Sequence, residues 1–295
     1  MASPTNQAPA IGTERPKRFD VRGFLPLLPL ALFLLIALIG PSAGVDGNRQ
    51  DLLNRLQPPV FAGGAWIHPL GTDSLGRDVL ARVLDAARLS LAIGLLAGGL
   101  SALVGVPAGI ISGFMDGVPD RTITALAEIC LSIPTIVVGI VLTAMLGQSL
   151  PNLIVILVVS GWITYSRVLR LRVRNLMHAE FVLAAHATGA SRMRVVTHHL
   201  LPNVLPTVVV LMFQQVAAVM IWEASLTYLG IGLAVQDISL GSLIREGQEH
   251  VLDAWWIALA PGLLIGLGVV GLNLAADWLN VYLDLALGRR RTIRA

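Results

Sequence analysis

The chain has 295 residues, of which 55% are hydrophobic and only 13% charged, with a mean hydropathy of +0.75. Soluble domains carry about 25% charged residues, and here the apolar residues come in blocks rather than at core periodicity, so a water-soluble domain is excluded. The formal charge of +3 rests on arginines and the single Lys17, spread between apolar blocks with 5% aromatics; that pattern speaks against nucleic acid as a partner and for loops facing anionic lipid.

A helix needs about 20 mostly apolar residues to cross the hydrocarbon. Segments 24–40, 89–114, 123–147, 150–171, 204–232 and 256–283 meet that standard, which predicts an all-α integral membrane protein with six transmembrane helices. Residues 1–22 read as a tail and 23–40 as the first span. Pro41-Ser42-Ala43-Gly44 after the apolar run also fits a signal-peptide cleavage site, but the length of the run favours a retained anchor.

Residues 41–87 form an extracytoplasmic loop in this reading. It holds Pro58-Pro59, Gly63-Gly64 and the run His68-Pro-Leu-Gly-Thr-Asp-Ser-Leu-Gly-Arg-Asp78. Val79, Leu80, Val83, Leu84 and Ala87 then recur at helical spacing against Arg77, Asp78, Arg82 and Asp85, which predicts an amphipathic helix along the membrane surface before the second span. Residues 88–284 are the main helical domain and 285–295 a basic tail. Cys130, the one cysteine, lies in an apolar block and allows no disulfide within the chain.

Orientation follows from the cations. With the N-terminus inside, Arg15, Lys17, Arg18, Arg22, Arg121, Arg167, Arg170, Arg172, Arg174, Arg192, Arg194, Arg289, Arg290, Arg291 and Arg294 are cytoplasmic. Only Arg49, Arg55, Arg77, Arg82 and Arg245 lie outside, with Arg88 at a span edge. Both termini are therefore expected in the cytoplasm, of a multi-pass protein in a plasma membrane.

The inside loop, residues 172–203, is too long for an ordinary helix connection and too apolar for a solvated tether. From Glu180 it reads as two short helices. Gly189 ends the first in the left-handed conformation, Ser191 caps the second, and Pro202 stops it. Ala184, Ala185 and Ala187 make a low surface that another protein can approach, and Met193, Val196 and Leu200 are expected on one face.

Here the sequence resembles a known family. Ala184-Ala185, Gly189-Ala190 and Leu201-Pro202 are similar to the "EAA" loop of ABC importer permeases, whose eponymous glutamate aligns with Leu183 while Glu180 lies one turn earlier. His68-Pro-Leu-Gly-Thr-Asp, Leu75-Gly-Arg-Asp78, Glu223-Ala-Ser-Leu-Thr-Tyr-Leu-Gly-Ile-Gly232, Pro261-Gly-Leu263 and Asn273-Leu274 with Asp277 look like the dipeptide/oligopeptide/nickel permeases, and among them the C-type subunit. The resemblance implies a type I ABC importer permease that carries di- or oligopeptides, nickel complexes or similar small solutes. It also implies a second homologous permease in a heterodimer, one or two ABC ATPase subunits, and an extracytoplasmic substrate-binding protein. A P-loop needs Gly-Lys-Ser/Thr, and Lys17 is followed by Arg18. ATP and its magnesium are thus expected on the partner ATPases, with no enzymatic site, cofactor or metal in this chain.

Polar residues at membrane depth are costly and often functional. Glu128, Gln214, Gln215, Glu223, Asn273 and Asp277 are the candidates, either lining the pathway or bonding between helices. Gly94/Gly98, Gly105/Gly109/Gly113 and Gly262/Gly266 follow the small-xxx-small rule for close helix packing, and Pro107, Pro134 and Pro261 mark candidate kinks. Gly266-Leu-Gly-Val-Val-Gly271 fits a dinucleotide fingerprint but follows no strand. Gly40-Pro-Ser-Ala-Gly44 fits GxSxG, but a serine nucleophile needs a base within hydrogen-bond reach, and of the six histidines, all in loops, only His68 and His250 share the outside face with Ser42. His198 and His199 point to different helix faces, which speaks against a metal site. A secondary transporter remains the alternative, although no inverted repeat supports it.

Overall fold

The computed structural model describes residues 21–39, 47–234 and 236–286, and all their regular elements are helical. The expected tails lie almost wholly outside the described residues, as does Pro41-Ser42-Ala43-Gly44. A 3-10 turn, Val21–Leu27, leads into α1, Leu28–Ile39. There follow α2 (Val79–Phe114), α3 (Val118–Ser132), α4 (Thr135–Leu146) and α5 (Leu150–Met177). After α6 (Glu180–Ala187) and α7 (Arg192–Arg194), a π-helical segment, Val195–Leu200, runs straight into α8 (Leu201–Tyr228). α9 (Leu240–Gln248) and α10 (Trp256–Ala286) complete the described residues.

Four stretches are long and apolar enough to cross a membrane: α2, α5, the unbroken run Arg192–Tyr228, and α10. α3 and α4 qualify together as a fifth, although they are bent by 84°. Pro134 causes the break, because a proline ring disfavours helical geometry in the preceding residue and Ile133 is extended at φ −103°, ψ 123°. The first apolar segment, Phe24–Leu38, is shorter than the others. Four or five candidate spans thus stand where six were expected.

Two boundaries differ from the sequence expectation. Residues 79–87 do not form a surface helix of their own. They are the opening turns of α2, which starts where the Asp78 carboxylate caps Ala81 N at 2.8 Å and continues unbroken to Phe114. With no glycine or proline between Asp78 and Gly94, nothing interrupts the helix. Its amphipathic start is explained by packing instead, since Val79, Val83, Ala86 and Ala87 are buried in one apolar cluster.

Pro202 does not stop a helix either. It occupies the first turn of α8, where a missing N–H costs little. Upstream the ladder widens to π geometry, with Leu201 N bonded to Val196 O, and Asn203 Nδ2 bonds the His199 carbonyl at 2.8 Å. The wide turn also decides which side chains are buried. Val195 and Leu200, five apart, are covered, while Met193 is 71% exposed, so Met193, Val196 and Leu200 do not share a face.

The glycine ladders of α2 form its contacts. A Cβ on Gly109 would stand 2.8 Å from Ser166 O and Leu169 Cβ, and one on Gly113 2.7 Å from Arg170 O, both on α5. Gly94 and Gly98 face Val216 of α8. Gly262 and Gly266 instead face open space, so they join no interface within the described chain. Two of the three dinucleotide-like glycines are packing residues. Gly268 lies under Phe33 and Gly271 under Leu30, and together they seat α1 on α10.

Candidate functional site

At one end of the bundle, here called the loop end, α5 delivers the chain to α6. Gly189 at φ +79° lets it turn, with Ala190 N bonded back to Ala185 O at 3.0 Å, the usual glycine-terminated helix ending. Thr188 Oγ1 donates to the carbonyls of Ala184 and Ala185 at 3.1 and 3.0 Å. Ser191 then caps Arg194 N at 3.4 Å. Beneath this hairpin Val182, Ala185, Val195, Leu200 and Val204 pack on Ile110, Leu169 and Val173 of the spans. The loop is therefore a fixed platform joined to α2, α5 and α8.

On the outer side of the platform lies a groove of about 380 Å³, lined among others by Phe181, Ala184, Ala185, Gly189, Ala190 and Arg194. Four expected docking residues, Ala184, Ala185, Gly189 and Ala190, come together there. Glu180 starts α6 on an exposed position, and Leu201 and Pro202 are exposed on α8; none of the three is in the groove lining. The groove surface is mixed: three alanines, Gly189 and Phe181 stand beside Thr188, Arg194 and His199.

The polar candidates separate into two groups. Glu223 is fully buried and forms no salt bridge among the described residues; Ser90 Oγ and Thr227 Oγ1 donate to its carboxylate, each at 3.0 Å. Ser90 Oγ also accepts from Leu240 N at 3.2 Å, which ties α8, α2 and α9 together. Gln215 is buried beside Gly161 and Ser101. Both are inter-helix groups within this chain. Glu128, Gln214, Asn273 and Asp277 are exposed on its flanks, and Asn273 Nδ2 only bonds the carbonyl of Val269 in its own helix.

Two ionic centres escaped the sequence reading. At the loop end Asp120 binds Arg170 through both oxygens at 2.6 and 2.9 Å, and Arg174 at 2.7 Å. At the opposite end Asp73 holds Arg82 at 2.7 Å and Arg77 at 2.6 Å, and Glu246 of α9 bonds both arginines. Trp256 Nε1 donates to Thr72 O at 3.1 Å and fixes the same loop to α10. The partners lie up to 184 residues apart in sequence, so only a hint such as Arg170 and Arg174 one turn apart was readable.

Residues 105–289 match the family model described as binding-protein-dependent transport system inner membrane component. The chain belongs to that permease family. The chain is 33% identical over 264 residues to a probable D,D-dipeptide transport system permease protein of Escherichia coli (strain K12), covering 89% of this chain and 87% of the relative. It is 32% identical to an oligopeptide transport system permease protein of Bacillus subtilis (strain 168), over 88% and 83% of the two chains. A dipeptide permease of that same strain is 33% identical over 88% and 81%. These relatives bear out the resemblance to the dipeptide/oligopeptide permeases. The fold is similar to a chain of the MetNI methionine ABC transporter in an inward facing conformation, with a TM-score of 0.55 at 22% identity, over 65% of this permease and 92% of that chain.

Proposed function

We propose that this permease forms half of the translocation pathway of an ATP-driven importer of di- or oligopeptides in a plasma membrane. The other half is a second, homologous permease. In this reading the short first helix and the bent α3–α4 pair each cross once, giving six spans, and the arginine distribution supports both termini and the loop end in the cytoplasm. The loop that carries Ala184–Ala190 docks on an ABC ATPase, one or two such subunits of the complex hold the ATP and magnesium, and an extracytoplasmic binding protein delivers cargo at the opposite end.

The observation that carries this reading is the groove on its anchored platform. A surface meant to transmit force needs a shallow, well-fixed contact, and α6 has both its backbone ending and its underside fixed to three spans. The test is peptide uptake by the reconstituted complex in proteoliposomes. Uptake should require ATP, the ATPases and the binding protein together; uptake that persists without ATP makes this a secondary transporter and overturns the proposal.

A further inference from the structure

A second cavity, of about 250 Å³, opens at the loop end between α2, α3 and α5. Its lining includes Ser112, Thr124, Glu128, Ser166, Arg167 and Arg170. The charges on this wall are unequal in their commitments. Arg170 is held by Asp120, which also binds Arg174 and accepts from Ser112 Oγ and Thr124 Oγ1. Glu128 on α3 and Arg167 on α5 are exposed, and neither makes an ion pair or hydrogen bond among the described residues.

The cavity therefore presents, beside hydroxyl groups, one carboxylate and one guanidinium without direct partners, the carboxylate within electrostatic reach of the Arg170 that Asp120 already holds. A simple anion meets the Glu128 carboxylate, a simple cation meets the Arg167 guanidinium, and an apolar solute leaves both unmatched; each case carries a desolvation cost. A zwitterion matches both. We infer that this cavity is a cytoplasmic-side subsite for a zwitterionic solute, with Glu128 taking its ammonium group and Arg167 its carboxylate. The inference rests on the importer reading above and specifies its cargo: peptides with both termini free. The same chemistry is carried by the headgroup of phosphatidylethanolamine, and the experiment separates the two sources.

The complete complex is placed in nanodiscs of phosphatidylglycerol, without ATP or binding protein, and titrated with Ala-Ala. Weak saturable binding is expected, in the millimolar range. Glu128→Gln and Arg167→Gln should each weaken it about tenfold, as expected for one lost charge-assisted contact, and Glu128→Asp should retain it. N-acetyl-Ala-Ala should bind more weakly and be indifferent to Glu128→Gln. Equal binding of free and acetylated peptide, or binding unchanged in both charge-removing variants, overturns the assignment. So does loss of Ala-Ala binding on adding phosphatidylethanolamine, which gives the cavity to the lipid headgroup. ATP-driven uptake by the wild-type complex is measured alongside. If it persists while Ala-Ala binding ignores both substitutions, only the subsite falls; if it needs no ATP, the importer reading falls.

Discussion

Gly189 separates backbone conformation from crowding, because a Cβ there meets nothing within 4 Å while φ stands at +79°. A β-branched residue in that conformation costs about 1–2 kcal/mol, and the penalty falls on the turn between α6 and α7. Gly189→Val should insert normally but lower the peptide transported per ATP hydrolysed several-fold in proteoliposomes. Gly189→Asn, which tolerates the left-handed region, should retain most of the coupling. An equal ratio in wild type and Gly189→Val would show that the turn does not transmit the stroke. At Glu223 the test is different: Glu223→Leu leaves Ser90 and Thr227 without their acceptor, a cost of about 1–3 kcal/mol, so the detergent melting temperature should drop. Glu223→Gln keeps an acceptor and should lie nearer to wild type.

Helix packing and the ionic centres are matters of whole elements. Arg82 and Asp73 are each 2% exposed as side chains; Arg82→Ala removes one of the two arginines on that carboxylate while Arg77 stays at 2.6 Å, so it should cost about 1.5–3 kcal/mol, the range for a lost hydrogen bond to a charged group, read as a loss of thermal stability. Gly109→Leu drives a side chain into α5 and should cost about 1–3 kcal/mol, whereas Gly266→Leu, facing open space, should leave the melting of the isolated chain unchanged. Four of the six expected spans were legible as unbroken apolar blocks, whereas the first proved shorter and the third is bent by 84° at Pro134. The ends of the elements were less legible. The surface-helix expectation for residues 79–87 failed because amphipathicity records burial against neighbours as readily as burial in lipid. Pro202 misled because the π turn before it absorbs the ring, and a wide turn leaves no compositional trace. The groove was readable because alanine and glycine at fixed offsets are what a close-approach surface requires, while the Asp120 and Asp73 centres depend on pairings that span separate helices.

Taken whole, the chain buries some of its polar membrane residues and leaves others uncovered. Gln214, Asn273 and Asp277 lie exposed on α8 and α10, and Gly262 and Gly266 face open space on α10. Exposed polar groups at membrane depth are costly in lipid, and a homologous permease would give them partners. Co-expression with a second peptide permease should therefore yield a stable heterodimer melting several degrees above this chain alone, checked by size exclusion and thermal unfolding. Identical melting with and without that subunit would count against the half-pathway arrangement.

The unbroken run from Arg192 to Tyr228 has a mechanical consequence. Its 37 residues amount to a rod of about 55 Å at 1.5 Å per residue, one end beside the groove and the other packed near α9. A tilt of about 10° pivoting at the groove would sweep the far tip through roughly 10 Å over that length. On the importer reading, a lever of this reach would turn a slight shift of a docked ATPase into a wide displacement at the distant mouth, with the π-helical turn at Val195–Leu200 and Pro206 as the places where the rod can bend.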